Sequence, residues 1–90
     1  MLKVKVMRET MVKAIEYHAL DKAGLTPVIG DDDDLCDWAA WLLAEVSNYD
    51  AETLDGAGLL VTAEGGDVVV SIQRGKVGDD VLDAVSTQIE

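Results

Sequence analysis

Residues Leu59 to Gln73, LLVTAEGGDVVVSIQ, decide the fold. Gly65 and Gly66 suit a tight two-residue hairpin turn, and β-branched residues crowd both flanks. With Glu64 set opposite Asp67, Ala63 faces Val68, Val61 faces Val70 and Leu59 faces Ile72, so one side of the ribbon is apolar throughout. A two-stranded hairpin is marginal alone in water and needs a cover. The rest of the chain must supply it.

Upstream, Leu35 to Asn48 has helical spacing: Leu35, Trp38, Ala39, Leu42, Leu43, Val46 and Tyr49 share one face at about 100° per residue. Asp33 or Asp34 is the expected N-cap, with the acids before it favourably placed at the positive end of the helix dipole. Downstream, Gly78-Asp79-Asp80 reads as the start of a helix with Val81, Leu82, Val85 and Ile89 on its inner stripe. At the N-terminus, Leu2, Val4 and Val6 alternate with Lys3 and Lys5 at strand period, while Val4, Met7, Met11, Ile15 and His18 also fit one helical stripe. A short strand followed by a helix from about Thr10 to Ala23, stopped at Gly24 with Pro27 beyond, is preferred to one long helix. The expected fold is α+β in the order (β)ααββα, about three helices covering one face of a small antiparallel sheet. Ninety residues with 49% hydrophobic content suit one globular domain, residues 1–90, whose core is aliphatic because the chain has no Phe, two Trp and two Tyr.

Charge is segregated along the chain. Between Lys22 and Arg74 there is no lysine or arginine, yet Ala23 to Gln73 holds 11 acids, equal to the formal net charge of -11. The first 22 residues carry a net +2 and the residues from Arg74 onward a net -2. Nucleic-acid affinity comes largely from Lys and Arg displacing counterions from phosphates, so direct binding to nucleic acid is not expected. Anionic lipid headgroups repel such a surface, and no apolar run approaches the roughly 18 residues that span a bilayer. A lone cysteine and an N-terminus without a long apolar stretch read as cytoplasmic.

Catalytic and metal signals are weak. Asp31 to Asp34 are adjacent residues, whereas a closed cation site needs ligands converging from several directions. Asp50, Glu52, Asp55 and Gly56 hint at a calcium loop, but the glycine comes one place late and the twelfth position is Val61. Cys36 stands in a helix's first turn, where the dipole lowers a thiol pKa while Asp33, Asp34 and Asp37 raise it. His18, the one available base, shares a stripe with Met11 and Ile15 and reads as a partly buried structural histidine. No phosphate loop, nucleophile elbow or zinc spacing occurs, so no enzymatic activity, cofactor or metal is expected.

What remains is a binding role. Two unit charges about 10 Å apart repel by only about 0.4 kcal/mol in water, so surplus acid is tolerated for solubility alone. A continuous base-free tract exceeds what solubility requires. The expected function is a small acidic binding protein or inhibitor whose carboxylates meet a basic, nucleic-acid-binding protein. By analogy of composition, virus-encoded nucleic-acid mimics and anti-CRISPR proteins, acting in the host cytoplasm, are small acidic proteins of this kind. The expected contact residues are Asp31, Asp32, Asp33, Asp34 and Asp37, with Asp50, Glu52 and Asp55 as secondary contributors. Trp41 lies on the polar side of its helix with Asp37, Ala44 and Asn48: either the loop Leu25 to Gly30 covers it or it anchors a partner beside the acids. Glu64 and Asp67 extend the same surface if the hairpin tip folds toward the second helix. The alternative is self-association, in which the basic N-terminal segment of one copy lies against the acidic tract of a neighbour, with Trp41 at the seam.

Overall fold

The hairpin forms in the expected register. In the computed structural model, which describes all residues Met1–Glu90, β2 (Leu60–Glu64) and β3 (Asp67–Ile72) pair with Glu64 opposite Asp67, Ala63 opposite Val68 and Val61 opposite Val70. Gly65 and Gly66 take φ of 62° and 88°, the left-handed pair that a tight turn between twisted strands demands. Leu59 falls just outside the ladder. Its N–H donates to the carbonyl of Leu54, and the Gln73 N–H donates to Ala57, so the preceding helix's end claims the backbone that would have lengthened β2.

The N-terminal segment is a strand, β1 (Leu2–Val6), and not the start of a long helix. It pairs antiparallel with β3, Leu2 opposite Ile72 and Val6 opposite Val68, which makes β3 the centre of a three-stranded sheet ordered β1-β3-β2. Met7, at φ -59° and ψ 142°, ends the strand, and α1 (Arg8–Glu16) begins two residues earlier than its sequence spacing suggested. It continues as a π-helical segment, Tyr17–Lys22, that buries His18 and Ala19 together. Gly24, at φ +66°, closes it as expected.

Three more helices follow: α2 (Asp32–Ser47), a short α3 (Ala51–Gly56) and α4 (Lys76–Ala84), the last extended by a π-helical segment Val85–Ile89. The short α3 was not anticipated. Six residues are too few for a periodic signal, and its cap, Asp50, was counted among the secondary contact acids and not as a helix start. The start of α4 at Lys76 also corrects the expected beginning at Gly78-Asp79-Asp80. Gly78 instead lies inside the first turn, pressed against the end of β3: an added Cβ would stand 2.2 Å from the Gln73 carbonyl oxygen.

All four helices pack on one face of the sheet. Val6, Val68, Val70 and Ile72 meet Met11, Ile15, Leu35, Leu42, Leu43, Leu54, Val81 and Val85 in a single buried cluster. Each fully buried Val or Leu contributes roughly 1.5–3 kcal/mol, so this interlayer and not ion pairing holds the domain together. The other face of the sheet has no helix over it. There Val69 and Ser71 are still buried, flanked in register by Lys5 and Thr62 and by Lys3 and Leu60. No helix is long and apolar enough to cross a membrane.

Candidate functional site

The aspartate run forms one turn of helix. Asp31, with extended backbone, is the true N-cap of α2, and its carboxylate accepts the Asp34 N–H at 2.9 Å. Asp34 reaches back in turn and accepts the Gly30 N–H at 2.9 Å. The cap therefore lies two to three residues before the expected Asp33 or Asp34, because the first aspartate in the run already takes one of the orphan N–H groups of the first turn, that of Asp34. Two of the four carboxylates are thus held by their own helix.

A third is paired. The Arg8 guanidinium Nη1 stands 2.6 Å from Asp32 Oδ1 and also donates to the Gly66 carbonyl at 3.2 Å. The Arg8 N–H donates to Asp67 Oδ1 at 3.1 Å, so the hairpin supplies the cap that Met7 does not give to α1. Arg8 thereby gathers the starts of α1 and α2 and the hairpin tip into one corner. The tip does turn toward α2, with Asp67 half-buried and Glu64 exposed. Apart from Lys76–Asp80 at 3.2 Å, Arg8–Asp32 is the only ion pair in the chain. Asp33 and Asp37 are exposed, unpaired, and one helical turn apart on the same side of α2.

Asp37 belongs to two hollows. One, between α2 and β2, is lined by Asp33, Cys36, Asp37, Val61, Thr62 and Ala63. Burial, reinforced by Asp32, Asp33 and Asp37, raises the half-buried Cys36 thiol pKa, and with the cap at Asp31 the thiol lies beyond the first turn of α2 in which the sequence spacing put it. The other is an apolar cleft of about 260 Å³ lined by Leu25, Asp37, Trp38 and Trp41. The two indoles meet edge to face, centroids 5.4 Å apart at 78°, and both pack partly against the core. Trp41 is thus half-buried, with Leu25 of the neighbouring loop beside it and one side of the cleft open.

The remaining expected contacts lie elsewhere. Asp50 caps α3, accepting the Thr53 N–H at 2.7 Å, and the hydrogen bonds from Thr53 lower its pKa. Glu52 and Asp55 are exposed on α3. This helix follows the C-terminal end of α2, and sixteen residues separate the two ends by about 24 Å. The structure therefore groups Asp31 to Asp34, Asp37 and Trp41, with Asp67 added, and sets Asp50, Glu52 and Asp55 at the opposite end. Near that end the Tyr49 hydroxyl donates to Asp80 at 2.6 Å and Lys76 donates to the same oxygen.

His18 lines a separate groove with Lys22, Ala23, Glu45, Val46, Asn48 and Gln88, so it does not approach Cys36. Burial is the chief cause of its lowered pKa; Lys22 adds to the effect and Glu45 opposes it. No three His, Cys, Asp or Glu side chains converge as ligands for a metal ion. Sequence reading missed Arg8 and Trp38 as members of this corner, and offered Leu25 only as part of a loop covering Trp41. A spacing of 58 residues between Arg8 and Gly66 leaves no local signal, and Trp38 was assigned wholly to the core stripe. Searches of protein-family models, curated proteins and solved structures find no match for this chain.

Proposed function

We propose that the protein is a non-enzymatic acidic binding protein or inhibitor whose α2 shoulder docks on the basic surface of a nucleic-acid-binding protein and occupies it in place of phosphates. The observation that supports this most is the asymmetry of pairing in the base-free tract. One arginine from outside the tract offsets Asp32, while Asp33 and Asp37 stay exposed and unpaired beside a half-open tryptophan cleft. Charges arranged this way steer a basic partner and fix its orientation. The acids on α3 contribute to the long-range field and not to the same contact.

The test uses a panel of purified basic DNA-binding domains, titrated at low and moderate salt with and without duplex DNA as competitor. At least one domain is expected to bind, to lose affinity steeply with salt, to be displaced by DNA, and to bind the fourfold Asp31 to Asp34→Asn variant far more weakly. Asparagine caps helices as well as aspartate does, so this variant loses charge but keeps its cap. Binding by the fourfold variant equal to wild type, or no binding by any domain at low salt, refutes the proposal. Self-association is the weaker reading, because one base of the N-terminal segment, Arg8, is already engaged with Asp32 of its own chain.

A further inference from the structure

We propose that the cleft formed by Leu25, Trp38 and Trp41, with Asp37 at its rim, receives one arginine side chain of the basic partner. This rests on the binding role proposed above and specifies its central contact. The walls are apolar and Asp37 is the sole charged residue lining them. At about 260 Å³ the cleft falls below the roughly 300–1,000 Å³ of pockets that enclose a drug-sized ligand, and it is open to solvent, a size and shape that suit a single side chain reaching in from a partner.

The chemistry selects the side chain. An apolar occupant would strip water from the Asp37 carboxylate and return nothing to it. A cation restores that loss, and an indole face attracts it further. Between the two candidates, the guanidinium is planar and weakly hydrated, stacks on aromatic rings and bonds carboxylates in a bidentate manner, whereas the ammonium of lysine holds its water strongly. None of the protein's own lysines or arginines lines the cleft, so nothing within the chain competes for it.

The walls are also preorganised. Asp37 and Trp38 are adjacent on α2 and Trp41 lies about one turn further on, and the edge-to-face packing of the indoles fixes their relative orientation. Leu25 comes from the loop after α1, but its N–H donates to the Ala19 carbonyl at 2.7 Å, which fastens the third wall. Leu25 remains 43% exposed, so an incoming side chain still has apolar surface to cover. Site residues held on a helix keep their geometry better than residues on a free loop.

Three peptides of identical length and sequence provide the test, differing only in carrying arginine, lysine or the neutral isostere citrulline at the same positions. The chain has two tryptophans, Trp38 and Trp41, so its indole emission reports on this cleft alone. The arginine peptide is expected to change that emission saturably and to bind more tightly than the lysine peptide, with citrulline weakest. Trp41→Leu and Asp37→Asn are each expected to weaken the arginine peptide by about 2- to 30-fold and to erase the arginine-over-lysine preference. Asp37→Asn keeps the test sound if the tryptophan variant folds poorly, because Asp37 is exposed and makes no ion pair. Equal, salt-sensitive binding of the arginine and lysine peptides with silent emission overturns the arginine cleft and leaves the acidic docking surface standing. Failure of both cationic peptides to bind at low salt overturns the two together.

Discussion

Gly78→Ala should destabilise the protein even though alanine is the better helix former. In the interior of a helix, alanine is favoured over glycine by about 1 kcal/mol. At position 78 the new Cβ would meet the Gln73 carbonyl oxygen at 2.2 Å, with Leu2 Cδ1 a further 3.3 Å neighbour. Gln73 O is backbone, next to the last residue of the central strand, so no rotamer change relieves the contact and α4 must shift by about an ångström. Overpacking of this kind costs about 1–3 kcal/mol. The lost contacts between Val81 or Val85 and the sheet add to that, and a net loss of about 1–2 kcal/mol is the expected outcome. For a chain of this size each kcal/mol moves Tm by about 4–8 °C. Urea titration followed by circular dichroism, with thermal melts alongside, measures the effect. The internal control is Gly56→Ala, where an added Cβ meets nothing within 4 Å and stability should rise by up to about 1 kcal/mol. A Gly78→Ala protein as stable as wild type, with an unchanged urea slope, would refute the close approach of α4 to β3.

Arg8→Gln should cost little stability, about 0.2–1 kcal/mol for an ion pair this exposed, while strengthening capture of a basic peptide because Asp32 is freed; weaker capture in the same titration would contradict the assigned role of Arg8. The double change Asp33→Asn and Asp37→Asn should leave the melting temperature level or slightly raised and shift the pH profile of Cys36 alkylation downward, since two of the acids that raise its pKa are gone. An unmoved profile would leave burial and Asp32 as what governs that thiol. For His18 the folded-state pKa lies below the ordinary 6.5, so as pH falls the unfolded chain takes up its proton first. Its contribution to stability is therefore complete above about pH 6.5 and declines below it. His18→Gln should flatten the stability curve just under that pH in urea titrations, and a slope identical to wild type would assign the loss to carboxylates instead.

The hairpin and α2 were legible because their periodicities agree with their turn chemistry. Glycines 65 and 66 fix the register, and the parity of Val61, Ala63, Val68 and Val70 follows from it. The N-terminal strand was legible only as one of two options, since Leu2 to Val6 fits both periods; pairing with β3, a contact some seventy residues away, decides between them. Ends were harder than middles. Asp31 takes the cap because four consecutive aspartates are equivalent in the sequence and differ only in backbone geometry, and α4 starts early because nothing local reveals how closely Gly78 meets Gln73. The site was half visible. Charge segregation marked the acids, but α2 is long enough to carry Asp50, Glu52 and Asp55 away from Asp31 to Asp34. The corner built by Arg8 depends wholly on tertiary packing.

The placement of β3 at the middle of the sheet has a kinetic consequence. Leu2 pairs with Ile72, so β1 has no neighbour until β3, the last strand of this ladder in chain order, has emerged. Contacts this distant in sequence require a large loop to close before they stabilise anything, which slows folding relative to a helical bundle of equal length. A growing chain that stops short of Asp67 has helices but no sheet on which to lay them. The domain should consequently assemble late and all at once, with Val68 to Ile72 as the strip that zips both flanks together.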